Sequence, residues 1–270
     1  MTDHELYLFD LRGFLVVENA LSPDEIKAAN EAIDRYQEDI KPRAAEHSLS
    51  GNSPALKGEK GRLEITRGLM GLDAPYCNPF RNMLAHPTIV PYLNDLMGTG
   101  FRLDHGPGLI AMDVGCEGHV LHGGGEPFDP SQFYVMKNGR MFNGLTVVSW
   151  QLTDVHPGDG GFCCVPGSHK SNYRCPQDIK LLQNHQDAVH QVVARAGSAV
   201  LFTEALTHGT LPWHGAGQRR SILFKYSPGF QAWGGVPQRD EVFLNQLTPD
   251  QRAVMEPPYR PNRPVVKGEV

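Results

Sequence analysis

Gly197-Ser198-Ala199-Val200-Leu201-Phe202, then Thr207-His208-Gly209-Thr210 and Gly217-Gln218-Arg219-Arg220-Ser221-Ile222-Leu223-Phe224, reads as a turn, a buried strand, a histidine past its end and the returning strand of a hairpin. An antiparallel return brings its first residues back beside His208. A guanidinium there clamps a carboxylate through two parallel hydrogen bonds, which a lysine cannot copy. The same texture extends outward. Residues 109–114, 146–153, 188–193, 199–202 and 221–226 are short β-rich runs divided by Gly, Pro and Asp clusters. Such spacing predicts a sandwich or barrel.

Toward the N-terminus, Gly13-Phe14-Leu15-Val16-Val17 reads as a short buried strand. Ser22-Pro23-Asp24-Glu25 starts a helix: Ser22 caps it, Pro23 suits the first turn and Glu25 completes a capping box. Ile26, Ala29, Ala32 and Ile33 follow at helical spacing. Residues 41–60 turn polar and lose periodicity, which predicts a mobile loop. A second helical stretch over 79–97 is interrupted near Pro87 and Pro91, and 240–255 reads as helical again. Helices come first and strands later, so a parallel doubly wound sheet is disfavoured. The expected organisation is one domain over 1–270, with a helical part to about residue 100, a barrel core to about 230 and a helical tail.

Of the 270 residues, 40% are hydrophobic and 20% charged, with a formal charge of −5 and a pI near 6.2. That balance argues against nucleic-acid polymers and anionic membranes as partners, but leaves room for a small anionic substrate. Five cysteines without a Cys-x-x-Cys pair argue against a disulfide framework or zinc knuckle. There is no basic and apolar leader, and no window nears the roughly 20 apolar residues of a membrane span. A soluble, cytoplasmic protein is expected.

Twelve histidines are present, so geometry must select among them. In Gly118-His119-Val120-Leu121-His122-Gly123-Gly124-Gly125-Glu126, extended backbone turns His119 and His122 to opposite faces, where they do not easily share a metal. His122 shares its face with position 124, where a facial-triad iron site places its carboxylate. That position holds glycine. The triple glycine also lacks the lysine and following helix of a phosphate-binding P-loop.

Several of these motifs resemble the phytanoyl-CoA hydroxylase superfamily of iron(II)- and 2-oxoglutarate-dependent oxygenases. They are Gly13-Phe14-Leu15-Val16-Val17 with its capped helix, Ser149-Trp150-Gln151-Leu152, Gly160-Gly161-Phe162 and Pro166-Gly167-Ser168-His169-Lys170. The order of His122, His208 and Arg219 is similar too, and the likeness spans residues 6–230. The resemblance implies a double-stranded β-helix, or jelly roll, mainly β with flanking helices. It implies His122 and His208 as iron ligands, Arg219 on the distal carboxylate of 2-oxoglutarate, eleven residues after His208, and Trp150 lining the cosubstrate pocket. Ile222, Phe224 and Tyr226 share a face with Arg220. In this fold the apolar face of the sheet is covered by helices, so Arg219 is preferred.

The departure from the family is Gly124, where hydroxylases carry Asp or Glu. A glycine there resembles the iron- and 2-oxoglutarate-dependent halogenases, in which chloride takes the open position and the substrate radical collects halogen instead of hydroxyl after O2 activation. An overall likeness to a bacterial nucleotide halogenase implies a deoxyadenosine nucleotide as substrate, its phosphate met by Arg62, Arg67, Lys137, Arg140 or Lys170. Taken singly, each of these cations is an ordinary solvated charge, and Gly124 an ordinary turn glycine. Two other readings stand beside this one. The first is a hydroxylase using Glu126 or Asp129, although Glu126 lies about 13 Å along an extended strand. The second is a cupin-like binding protein without chemistry.

Overall fold

The computed structural model describes residues 1–124, 129–234 and 240–269, the side chain of Ala45 excepted. Helix α1 (Asp3–Arg12) ends at Gly13, whose φ of 80° turns the chain into β1 (Phe14–Val17). Helix α2 (Pro23–Arg35) carries the expected capping box: the Glu25 amide donates to Ser22 Oγ and the Ser22 amide to Glu25 Oε2. After β2 (Ile40–Pro42) and β3 (Leu63–Ile65), α3 (Asn78–Leu84) and α4 (Val90–Met97) flank the break expected near Pro87. The strands follow: β4 (Arg102–Met112), β5 (His119–His122), β6 (Tyr134–Lys137), β7 (Arg140–Asn143), β8 (Thr146–Gln151) and β9 (Gly161–Cys164). Helix α5 (Gln177–Lys180) leads to β10 (His190–Gln191), β11 (Ala199–Thr203), β12 (His208–Leu211) and β13 (Arg219–Ser227), and α6 (Glu241–Leu244) and α7 (Pro249–Val254) close the chain.

The larger sheet runs β1-β11-β8-β13-β4-β3-β2 and the smaller β10-β9-β12-β5, with β6 and β7 paired apart. The two sheets pack as a jelly roll. Val147, Val200 and Phe202 of the larger sheet share a cluster with Cys164 of the smaller. The other face of the larger sheet buries Val148, Trp150, Ile222, Phe224 and Tyr226 against Ala29, Ala32 and Ile33 of α2 and Phe80, Met83 and Leu84 of α3. Each large apolar side chain removed from water there contributes on the order of 1.5–3 kcal/mol. Strand alternation then turns Arg219, Ser221, Leu223 and Lys225 toward the smaller sheet. Arg220, on the helix side, reaches Asp34 at 2.7 Å and Asn30 at 3.1 Å.

Two expectations change. The return after β11 is not a hairpin: β12 crosses to the smaller sheet, and β13 comes back between β8 and β4. Arg219 therefore approaches His208 from the facing sheet. Residues 41–60, expected as a mobile loop, are also tied to the start of β5 by hydrogen bonds. The amides of Val120 and Gly118 donate to the carbonyls of Leu49 and Leu56 at 2.9 and 2.8 Å, Glu117 accepts from the Leu49 amide at 3.0 Å, and Leu56 is fully buried. Main-chain pairing of this kind leaves no mark in composition or periodicity.

Strand β5 pairs with β12 at His122↔His208 and at His119↔Thr210, so three steps on one strand match two on the other. This is a β-bulge. Opposite it, a Cβ on Gly209 would lie 2.6 Å from the carbonyl oxygen of His119. Gly209→Ala is expected to destabilise the fold by about 1–3 kcal/mol through overpacking against backbone. Thermal unfolding of the two proteins checks this; an unchanged midpoint would mean that the bulge yields freely.

Candidate active site

Between the sheets lies a cavity of about 200 Å³ lined by His119, His122, His208, Arg219, Glu204 and Lys225, with Arg62, Ser149 and the apolar Ile110, Phe162, Phe202 and Leu223. His122 closes β5 and His208 opens β12, and their rings lie 4.4 Å apart. Each Nδ1 faces a main-chain oxygen: His122 meets Val120 O at 2.9 Å and His208 meets Leu206 O at 2.7 Å. A carbonyl only accepts, so both Nδ1 atoms carry the proton and both Nε2 lone pairs are presented to the cavity. Burial, then the charge of the neighbouring His122, pushes His208 down to about 4. Burial lowers His122 as well. Both rings are neutral at physiological pH, the state in which imidazole binds a metal.

Arg219 is 2% exposed and, among the described residues, its Nε has no hydrogen-bond partner. Nη1 meets only the sulfur of Met112, at 3.5 Å. Burial, with Arg62 as a second cause, lowers it to about 10, so it remains a cation. The nearby thiols do not neutralise it, because burial raises Cys116 to about 11 and Cys163 to about 12. A buried guanidinium without a counter-ion is costly, and it fits a site that receives an anion. Gly161 gives it passage: a Cβ there would stand 3.0 Å from Arg219 Nε. This is a physical reason for the Gly160-Gly161-Phe162 motif.

Sequence reading missed five polar residues of the cavity, His119, Ser149, Glu204, Thr210 and Lys225. The bulge brings His119 onto the face of His122, with ring centroids 4.2 Å apart; this corrects the expectation that the two oppose each other. Lys225 lies six residues after Arg219, so strand alternation alone could have placed it on the same face. Ser149 faces inward because its neighbour Trp150 faces the helices. Glu204, 3% exposed, stands on the turn between β11 and β12 and left no signal beyond its position four residues before His208. Burial alone would raise its pKa, but the Lys225 ammonium, 2.7 Å from Oε1, holds it low, so it is a carboxylate.

The remaining predicted residues separate. Arg62 reaches the cavity and is paired there with Glu64, its Nε 3.0 Å from Oε1. Arg67 binds Asp39 at 3.2 Å, Lys170 binds Asp10 at 2.9 Å, Arg140 stacks on Phe142 and Lys137 is exposed; none of the four lines the cavity. Trp150 does not line it either, packing edge-on to His86 on the helix-covered face. Asp129 is engaged by Ser131, Gln132 and Trp233. Glu126 lies outside the described residues. Gly124 lines an adjacent hollow of about 670 Å³. At its φ of 73°, a Cβ would point to Thr207 Oγ1 at 3.0 Å. Among the described residues, no three His, Cys, Asp or Glu side chains are already gathered around one metal position. Two Nε2 lone pairs, a buried carboxylate and an unmatched guanidinium nevertheless form a donor set that suits iron with an anionic cosubstrate. No helix among the described residues is long and apolar enough to cross a membrane.

The phytanoyl-CoA dioxygenase (PhyH) family model matches residues 9–221. An ectoine dioxygenase of Nocardia farcinica (strain IFM 10152) is 22% identical over 245 residues, covering 76% of this chain and 71% of its own. Among solved structures, HygX of Streptomyces hygroscopicus, with nickel, 2-oxoglutarate and hygromycin B bound, superposes with a TM-score of 0.69 at 22% identity, covering 86% of this chain and 89% of its own. SnoK, a non-heme alpha-ketoglutarate-dependent carbocyclase from nogalamycin biosynthesis, gives a TM-score of 0.61 at 14% identity over 92% of each chain. The fold is thus that of these proteins.

The unmatched Arg219 cation sets a stability trade-off. Arg219→Met is expected to raise the unfolding midpoint of the protein without added anions. It should also abolish the stabilisation that 2-oxoglutarate gives the wild type, about 2.7 kcal/mol at a hundred times its dissociation constant. Thermal shifts of both proteins with and without the dicarboxylate check it. Equal shifts would place the anion elsewhere.

Proposed function

Because the chain belongs to the phytanoyl-CoA dioxygenase (PhyH) family, and is therefore an enzyme, we propose that it is an iron(II)- and 2-oxoglutarate-dependent oxygenase that oxidises an unactivated carbon–hydrogen bond of a small polar molecule. One observation carries the reading: a buried guanidinium with no counter-ion among the described residues shares a cavity with two histidines whose Nδ1 atoms are committed to main-chain carbonyls. His122 and His208 hold the metal. Arg219 takes the distal carboxylate of 2-oxoglutarate through its forked donors. Iron held there would, with 2-oxoglutarate and O2, supply the oxidising chemistry for a carbon–hydrogen bond. Phe162, Phe202, Leu223 and Ile110 keep bulk water from the reacting groups. Membership of an enzyme family removes the binding-only reading.

A second reading is favoured by Gly124 and Arg62. Position 124 offers no ligand side chain, so chloride could join the metal and be transferred to a substrate such as a deoxyadenosine nucleotide, with Arg62 near its phosphate. The relatives named above support oxidation of a small molecule and do not favour halide transfer.

Mass spectrometry after oxygen exposure of anaerobically iron-loaded enzyme separates the two. The mixtures contain 2-oxoglutarate, either chloride or bromide, and a panel of deoxynucleotides and small polar metabolites. The expected result is succinate formation, a product gaining one oxygen in both halides, and a loss of more than about a hundredfold in His208→Ala. A chlorine isotope pattern that changes to bromine selects the second reading. No succinate with any candidate would sink both.

A further inference from the structure

The hydrogen-bond pattern leaves one contact in the cavity unexplained. Glu204 Oε2 lies 4.0 Å from His208 Nε2. With Nδ1 of His208 committed to Leu206 O, Nε2 presents a lone pair, so two acceptors face each other in a buried place with no donor between them. Such an arrangement calls for a cation. The Lys225 ammonium does not fill the gap, because it lies on the other oxygen, 2.7 Å from Oε1. Ligands at roughly 2.0–2.2 Å from one metal stand about 3 Å apart when adjacent and about 4.2 Å apart when opposite, which brackets the observed separation. A shift of about 1 Å at the carboxylate completes an adjacent pair.

From this we infer that Glu204 supplies the carboxylate ligand of the metal held by His122 and His208. It does so from the turn between β11 and β12, and not from two residues beyond the first histidine. The inference rests on the proposed histidine pair and adds the third protein ligand. Three main-chain hydrogen bonds fix the turn: the Glu204 amide donates to Leu145 O at 2.9 Å, the Thr203 amide to Gly13 O at 3.2 Å, and the Gly124 amide to Glu204 O at 3.1 Å. Lys225 holds Oε1, so Glu204 binds through Oε2 alone. The carboxylate occupies the coordination position and supplies the charge that a halide would otherwise bring. His119 is not an equivalent candidate. Its ring lies tilted over that of His122 at 33°, so the in-plane lone pairs of those two rings do not converge.

Anaerobic titration of the full chain with cobalt(II), read by visible absorption and by competition with a chromogenic chelator, tests the assignment without turnover. Glu204→Gln is expected to weaken cobalt binding at least about tenfold and to change the ligand-field bands, with Glu204→Asp falling between. In the wild type, affinity and bands should be the same in chloride, bromide and acetate. Should Glu204→Gln bind cobalt with wild-type affinity and bands while His208→Ala does not bind, the inference is overturned and the histidine reading stands. If His208→Ala also binds normally, the histidine reading falls with it. If Glu204→Gln fails to fold, the halide series on the wild type decides: chloride-dependent tightening with a new absorption band overturns the carboxylate ligand, and its absence supports it.

Discussion

Everything in the cavity depends on the cross-strand pair His122–His208. Directly opposed residues on neighbouring antiparallel strands hold their side chains within contact, so one register choice sets the spacing of both imidazoles. The Val120 and Leu206 carbonyls then fix the tautomers, and through them the direction of two lone pairs. A slip of one residue would turn one ring out of the cavity. The extra residue in β5 strengthens that choice, because a bulge has no equivalent at the next register. Gly209 makes the close approach possible by having no Cβ to place against the His119 carbonyl.

Charge supplies the second constraint. Among the described residues, the cavity wall carries Arg62, Arg219 and Lys225 against the one carboxylate of Glu204. Arg62 and Lys225 each have an acidic partner, and among the described residues Arg219 has none. The folded chain therefore holds a surplus of positive charge where solvent screening is weak. A protein selected only for stability would not keep it. The distal carboxylate of a dicarboxylate cosubstrate would pair the Arg219 cation, and its other carboxylate would offset charge brought by a metal dication, which ties the charge argument to the proposed chemistry.

Much of this was legible in the sequence, for reasons that differ by residue. The strand runs, the Ser22 cap and the helices were readable because periodicity and capping are local properties. Arg219 was preferred to Arg220 on the family-like spacing of eleven residues after His208, since alternation alone only groups Arg220 with the apolar residues of β13. Other features depended on pairing, which a sequence does not display. The bulge moved His119 to the wrong side of a simple alternation count. The crossover of β12 replaced the expected hairpin, and Glu204 came to the cavity from a turn without any motif. Trp150 illustrates the converse. A conspicuous aromatic beside a family-like motif packs into the helix-covered core, while its modest neighbour Ser149 faces the chemistry.

The Gly123-Gly124 turn and Glu204 are best understood together. Both glycines have positive φ, 79° and 73°, a region costly for residues with a side chain. A Cβ on Gly123 would stand 2.7 Å from both Glu204 O and Leu206 O, and the Gly124 amide donates to Glu204 O. The turn after His122 thus lies directly on the main chain that carries Glu204. A carboxylate-bearing residue at position 124 would meet an unfavourable backbone conformation and crowd Thr207. The absence of an acid two residues after the first histidine follows from that close packing. The same packing pins the turn from which Glu204 faces His208, so the carboxylate missing from one strand end returns from the neighbouring one.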